Sequence, residues 1–311
     1  MIARLSFAAL PRPLVDELAE AGLDARAVYE HVVAAFEEDL PDGAVDVTSA
    51  AMPPMGTAVA DVAAREAGVV SGLVVAEVAF RYALGEQLVV EHRVPDGTRV
   101  APGDVVMTVS GPVAGVLTGE RTALNFASHL SGVATATAAW VDALAGSRTR
   151  VLDTRKTLPG WRALQKYAVR CGGGVNHRFS LADRAMVKDN HVVAAGGVVE
   201  AYEAVRAANP DLRIEVEVTD LDQLLAVVEA GCTEVLLDNM TDEQMTRAVE
   251  LVGGRASLEA SGGITLERAP RIAATGVDFV SVGALTHSVT VFDLGLDFRE
   301  PEPEPGPEQQ A

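Results

Sequence analysis

Four short stretches of this chain place a polar residue two positions after a residue that would share its face: Met186 and Lys188, Glu215 and Glu217, Leu236 and Asp238, Glu259 and Ser261. The stretch from Arg213 to Val218 alternates apolar and acidic residues, the period of a strand. If it belongs to a parallel sheet covered by helices, Ile214, Val216 and Val218 face the helices, and Glu215 and Glu217 point inward. An inward carboxylate is costly unless a cation or metal accompanies it. Taken singly, Glu215 or Glu259 is as readily a structural ion pair as a functional group. Polar residues at the ends of successive strands are harder to explain that way, because α/β barrels build their active sites at the C-terminal ends of their strands.

Cations gather near the same strand ends: Arg155 and Lys156 after one strand, His177 and Arg178 before the next, and Lys188 at its end. A lone arginine is usually a solvated surface residue, but this spacing points to an anion. Ser261-Gly262-Gly263 and Val282-Gly283-Ala284 lie between strand and helix, where backbone N–H groups can cradle a phosphate. The chain has neither a GxxxxGK[ST] loop nor a strand-linked GxGxxG, which removes the P-loop and dinucleotide readings. A formal net charge of −19 excludes nucleic acid and anionic membrane as partners, since both require a basic face. Of the 25 basic residues only Lys156, Lys166 and Lys188 are lysines, leaving 22 arginines. An ammonium and a guanidinium are not interchangeable, so the lysines are informative. Lys166, in LQKYAVR, reads as a solvated helix position.

The elements that must position these groups fall into regions. Residues 1–128 mix helices, HVVAAFEEDL among them, with strands in GTAVADVAA, QLVVEHRV and DVVMTVSG. Pro95-Asp96-Gly97 and Pro102-Gly103-Asp104 are turn signals. Glu120 to Leu144 has the period of one or two long helices. From about Arg150, short apolar strands (RVLDT, AMVKD, RIEVEV, EVLLD, ASLEAS, FVSVG) alternate with helices, two of them stopped by Gly231 and Gly253. This pattern predicts a parallel α/β sheet, open or closed, with too few units for a standard eight-stranded barrel. Residues 300–311 are proline- and glutamate-rich and read as a disordered acidic tail. Cys171 and Cys232 read as buried thiols. No apolar run spans a bilayer, and the opening residues lack signal-peptide character; a cytoplasmic protein is expected.

In order along the chain, Glu120-Arg121-Thr122-Ala123-Leu124-Asn125, Asp153-Thr154-Arg155-Lys156-Thr157, Gly172-Gly173-Gly174 with Asn176-His177-Arg178, and Lys188-Asp189-Asn190-His191 resemble the signatures of quinolinate phosphoribosyltransferases. Glu215-Val216-Glu217, Leu237-Asp238-Asn239, Glu259-Ala260-Ser261-Gly262-Gly263 and Ser281-Val282-Gly283 continue the series. The resemblance implies an N-terminal α/β sandwich domain over residues 1–128, joined by 289–299, and an incomplete α/β barrel over 129–288. It implies a homodimer that makes nicotinate mononucleotide, pyrophosphate and carbon dioxide from quinolinate and 5-phosphoribosyl 1-pyrophosphate, with Mg2+ as cofactor. By similarity, Arg121 (supplied in trans), Arg155, His177, Arg178 and Lys188 would hold quinolinate. Lys156 would meet the pyrophosphate. Glu217 and Asp238 would contact ribose and magnesium, and Ser261, Gly262, Gly263 and Gly283 would hold the 5′-phosphate. Rival readings are a paralogue acting on another pyridine, a Schiff-base aldolase using Lys156 or Lys188, and a non-catalytic sugar-phosphate sensor.

Overall fold

The computed structural model describes residues 2–52 and 55–300; beyond Glu300, the expected acidic tail lies outside them. The chain divides into two compact units, one built from the residues up to Gly132 and from Thr290 onward, the other from Val133–Val289.

In the first unit the helices α1 (Arg12–Glu20), α2 (Ala25–Asp39) and α3 (Val47–Ala51) precede the sheet strands. On α1, Leu14 and Leu18 are buried, and Glu17 and Glu20 are exposed. Strands β1 (Thr57–Ala64), β3 (Val89–Arg93) and β5 (Val105–Pro112) form where alternation predicts them, and β2 (Gly68–Val69) pairs with β4 (Arg99–Val100). The four-stranded antiparallel sheet is completed from the far end of the chain by β12 (Leu294–Phe298), in the order β12-β1-β5-β3. One helix, α4 (Leu73–Leu84), has no sequence signal, and the reason is physical. All of its residues but Arg81 are buried, so it lacks the polar face that reveals helical period. The turn at Asp96 serves it, because the Asp96 carboxylate accepts from the N–H groups of Gly72 and Leu73 at 2.9 Å each. A single helix, α5 (Val113–Ala143), covers the region expected to hold one or two, and begins earlier than expected.

The second unit is a six-stranded parallel sheet. In chain order its elements are β6 (Arg150–Leu152), α6 (Arg162–Cys171), β7 (Ala185–Val187), α7 (Asp189–Ala195), α8 (Val198–Ala208), β8 (Ile214–Val218), α9 (Leu221–Glu229), β9 (Glu234–Asp238), α10 (Asp242–Val252), β10 (Ser257–Ser261), α11 (Ala269–Thr275), β11 (Phe279–Ser281) and α12 (Ala284–His287). The strand order is β6-β11-β10-β9-β8-β7. Each βα unit therefore adds beside the last, and β6 closes onto β11. Among the described residues β6 and β7 do not pair, so the barrel is incomplete as expected. Thr241 and Gln244 cap α10 reciprocally, and Gly253 ends it at φ 57. After Ser261-Gly262-Gly263 the chain makes a single 3-10 turn at Leu266–Arg268, and the α-helix begins only at Ala269.

Two expectations about single residues fail. Lys166 is fully buried: the inward side of α6 faces a carboxylate that sequence spacing could not reveal. Cys232 is buried, and burial pushes its thiol up to about 11, whereas Cys171 is only half-buried. No described helix is long and apolar enough to cross a membrane.

Gly132, on α5, is fixed by close approach. A Cβ there would lie 2.2 Å from the Thr290 carbonyl oxygen, where the chain returns towards β12 and Phe292 N–H donates to Ser128 at 3.0 Å. Gly132→Ala is expected to lower stability by about 1–3 kcal/mol, the usual cost of overpacking, measured as a shift in the urea midpoint at unchanged slope.

Candidate active site

A cavity of about 570 Å³ opens at the C-terminal ends of the parallel strands of the second unit. Strand alternation builds its walls. Glu259 lies beside Leu236 in the β10–β9 register, and Ser261 beside Asp238; all four line the cavity. Leu236 and Glu259 make a lower layer, Asp238 and Ser261 an upper one. From β7 come Met186 and Lys188, and from β8 Glu217. The alternate residues Val216, Val218, Leu237 and Ala260 are buried in the layer between sheet and helices.

The gap between β6 and β7 is where the cations enter. Val175 forms a parallel bridge to Leu152, on the free side of β6, and the chain continues through Asn176, His177 and Arg178. One carboxylate fixes this segment. Asp153, at the end of β6, accepts from His177 N–H at 2.8 Å, from Asn176 Nδ2 at 2.6 Å and from Lys166 Nζ. Lys166 also donates to the His177 carbonyl at 2.9 Å. Both side chains of this ion pair are fully buried. Burial pushes the Asp153 carboxyl up and the Lys166 ammonium down, and their mutual attraction pulls both back. With three donors converging on Asp153 and none wasted, the pair is satisfied as an ion pair.

Beneath the cavity lies a second network. Arg178 N–H donates to His177 Nδ1 at 2.7 Å. A backbone amide can only donate, so Nδ1 is the unprotonated nitrogen and Nε2 carries the hydrogen. Nε2 donates it to Glu215 at 2.8 Å. Arg184 approaches the other Glu215 oxygen at 3.2 Å and also pairs with Glu234. Burial pushes the Glu215 carboxyl up, but His177 and Arg184 outweigh it and hold Glu215 below its usual range. Glu259 is the reverse case. Burial, then the charge of Glu215, drive it well above the usual carboxylate range. Of these two neighbouring acids one is ionised and the other keeps its proton.

His177, Glu215 and Glu259 bring possible ligand atoms within 4.8 Å of one another. They do not fit a metal ion: Nε2 bears the proton, Arg184 already balances Glu215, and Glu259 is neutral. Oxygen ligands for a hard cation are better offered by Glu217 and Asp238, at the ends of neighbouring strands.

The upper rim is cationic. Among the described residues neither Arg155 nor Lys156 has a carboxylate partner, and Arg155 Nε is buried without a hydrogen bond. Burial and then the neighbouring Arg155 guanidinium push Arg178 down from the usual arginine range. Lys188 instead pairs with Glu217. Opposite, Gly262 and Gly263 adopt φ 91 and 58. A Cβ on Gly262 would lie 2.3 Å from Asn239 Oδ1, so only glycine allows this turn to pack against β9.

Of the residues expected in the site, Arg155, Lys156, His177, Arg178, Lys188, Glu217, Asp238, Ser261, Gly262 and Gly263 line one cavity. Gly283 stands behind Lys156, where a Cβ would lie 3.0 Å from the lysine Cδ. Arg121 lies on α5 in the first unit, exposed, and has no carboxylate partner among the described residues. Sequence reasoning missed Thr154, Asn239 and Ser281 in the lining, and Arg184 and Lys166 behind it. Asn239 and Ser281 stand inside motifs, and their positions at strand ends could have marked them. Nothing in the sequence singles out Arg184.

The model of the quinolinate phosphoribosyl transferase N-terminal domain matches residues 46–131, and that of the C-terminal domain residues 133–297. The nicotinate-nucleotide pyrophosphorylase (carboxylating) of Mycobacterium leprae is 49% identical, covering 87% of this chain and 97% of that protein. A probable nicotinate-nucleotide pyrophosphorylase (carboxylating) of Bacillus subtilis is 39% identical, covering 84% and 90%. The fold matches the crystal structure of NadC from Streptococcus pyogenes with a TM-score of 0.82 at 40% identity, over 88% of this chain and 97% of that one. It matches the nicotinate-nucleotide pyrophosphorylase of Francisella tularensis with a TM-score of 0.83 at 36% identity, over 88% and 96%.

The Asp153 network sets an expectation for stability. Lys166→Met leaves a buried carboxylate without its counter-charge and should destabilise the protein by about 3–5 kcal/mol. Lys156→Met, at an exposed and unpaired lysine, should change stability by no more than about 0.5 kcal/mol. Urea unfolding of the two variants side by side measures the contrast, and equal midpoints would remove the network from the fold's support.

Proposed function

The chain belongs to the quinolinate phosphoribosyltransferase family, and we propose that its cavity joins quinolinate to 5-phosphoribosyl 1-pyrophosphate and decarboxylates the adduct, giving nicotinate mononucleotide, pyrophosphate and carbon dioxide in NAD biosynthesis. The observation that carries this reading is the rim of cations, Arg155 and Lys156, without carboxylate partners among the described residues, beside Arg178, in a protein of net charge −19. In so acidic a chain a cation finds a carboxylate readily. Cations left without one, and held beside one another, suit an anionic substrate.

Quinolinate carries two carboxylates on a planar ring, and the guanidinium forks of Arg155 and Arg178 match that shape. Lys188 adds an ammonium from the end of β7. His177 has both ring nitrogens engaged within the protein, so it contributes a shaped wall to the quinolinate pocket. The Ser261-Gly262-Gly263 turn, with Gly283, receives the 5′-phosphate through backbone N–H groups. Lys156 meets the pyrophosphate.

The ring nitrogen attacks the anomeric carbon as the bond to pyrophosphate breaks, and the leaving group takes the electron pair. Glu217 and Asp238 bind the ribose hydroxyls and stabilise positive charge developing at that carbon. Magnesium, when bound, neutralises the pyrophosphate; Glu217 and Asp238 are the residues that would hold it. The ribosylated ring nitrogen is cationic and stabilises the electron pair left on the neighbouring carbon when the adjacent carboxylate departs as carbon dioxide. The protein then has mainly to orient the ring. Lys188 is already engaged in an ion pair with Glu217, which disfavours a Schiff-base role for that lysine.

We further propose a homodimer in which Arg121 completes the partner's site. An exposed arginine without a carboxylate partner among the described residues, inside a motif of this family, supports that role.

Purified protein given quinolinate, phosphoribosyl pyrophosphate and magnesium should form nicotinate mononucleotide, and nicotinate in place of quinolinate should not react. Lys156→Ala should reduce turnover by about 10²–10³, the usual effect of losing a charge-stabilising contact. Unchanged turnover would remove Lys156 from the chemistry. For Arg121, the Arg121→Ala and Lys156→Ala proteins should each be nearly inactive, yet regain activity when mixed. Each hybrid dimer would hold one intact site, so an equal mixture should reach roughly a quarter of wild type. No recovery after verified subunit exchange would show that Arg121 does not act in trans.

A further inference from the structure

We propose that Glu259 is the acid that protonates the ring carbon from which carbon dioxide departs, a role that rests on the quinolinate reading above. The inference comes from placement. Glu259 lines the cavity at its lower layer, beside Leu236 and beneath Ser261. It is 3% exposed, and neither carboxyl oxygen accepts a hydrogen bond from a neighbouring donor. A buried polar group is rarely left in that state, and one that faces a substrate cavity has a partner only when the cavity is filled. Ser281 and Glu215 lie close enough to hydrogen-bond with Glu259 and to influence its charge, while the Ser281 hydroxyl is directed to Ser261 at 3.1 Å.

Other proton carriers of the cavity are placed differently. His177 Nε2–H is donated to Glu215, the Lys188 ammonium to Glu217, and Lys156 stands at the exposed rim. Groups facing Glu259 are Glu215 from β8, His177 and Arg184 from the segment before β7, and Ser281 from β11. The anionic Glu215 and the dry surroundings keep the proton on Glu259 until a stronger base appears.

Loss of carbon dioxide produces that base. The bond from ring carbon to carboxylate breaks, its electron pair stays on the carbon beside the cationic nitrogen, and carbon dioxide leaves neutral. The carbon takes the Glu259 proton, and the O–H electron pair remains as carboxylate. Two adjacent buried carboxylates then repel, so Glu259 recovers a proton from water once product release opens the cavity.

Rapid quenching of the full-length protein, following pyrophosphate and nicotinate mononucleotide separately through a first turnover, tests the role. Glu259→Gln keeps the shape of the side chain and removes its acid proton. It should bind both substrates within about threefold of wild type and release pyrophosphate at the wild-type rate. It should form nicotinate mononucleotide at least about 10² more slowly, the usual share of a general acid, and Glu259→Asp should recover part of the loss. In the wild type the second step alone should be slower in D2O and should decline as pH rises through the Glu259 pKa. Comparable rates of both products in Glu259→Gln would overturn the proposal, as would equal slowing of both with weakened binding. If that variant does not fold, a wild-type second step insensitive to pH and to D2O overturns it. A wild type that makes no nicotinate mononucleotide would instead remove the quinolinate reading itself.

Discussion

The convergence of Lys166, Asn176 and the His177 backbone on the Asp153 carboxylate is the interaction on which the rest of the site depends. A barrel left open between β6 and β7 has an unpaired strand edge, and an irregular segment must fill it. Irregular backbone inside a protein carries donors and acceptors that need partners. The Val175 bridge satisfies part of this segment, and Asp153 with Lys166 satisfies the remainder. Because the partners are buried charges and not water, the segment has one arrangement in place of many. His177 and Arg178 are thereby fixed at the cavity wall, and the defect in the barrel becomes the means of placing a cation there.

Charge is then arranged in two layers with opposite logic. Around the exterior, arginines are balanced by carboxylates, as in Arg12 with Asp16, Arg26 with Glu30 and Arg247 with Glu250. Such exposed pairs contribute about 0–1 kcal/mol each. At the cavity rim the balance is incomplete: Arg155 and Lys156 have no carboxylate among the described residues, and burial, then the neighbouring Arg155, depress Arg178. The resulting local potential persists in a strongly acidic protein because the cavity walls screen it less than water does. Below the rim the sign reverses, and the lower layer holds carboxyls whose protonation is set by one histidine tautomer and one arginine.

Strand alternation makes much of this legible in the amino-acid sequence. The inward set of Lys188, Glu217, Asp238 and Ser261 follows from a period of two and the location of chemistry in barrels, and all four line the cavity. The six strands and the incomplete closure follow from counting βα units. What period cannot convey is the partner of a buried charge. Lys166 has the sequence surroundings of a solvated helix residue, and only the fold brings Asp153, thirteen positions away, beneath it. Arg184 is hidden for the same reason. Helix α4 escapes because uniform burial erases periodicity. His177 stands in the cavity wall as its motif implies, but no spacing reveals its tautomer, which is decided by an N–H one residue later in the chain.

The tautomer also links the two layers. Had Nδ1 carried the hydrogen, it would have opposed the Arg178 amide, and Nε2 would have been free to accept a proton or a metal. With Nδ1 held as an acceptor, Nε2 can only donate, and it donates to Glu215. That bond, with Arg184, keeps Glu215 ionised, and an ionised Glu215 keeps Glu259 neutral. The backbone conformation at Arg178, which also orients a guanidinium at the rim, therefore reaches the protonation state of a side chain on the far side of the barrel interior. A reaction that first gathers anions and then needs a proton in a dry place requires both states at once. A single pinned segment can supply them because the hydrogen bonds that fix it also hold the ionised Glu215 beside Glu259.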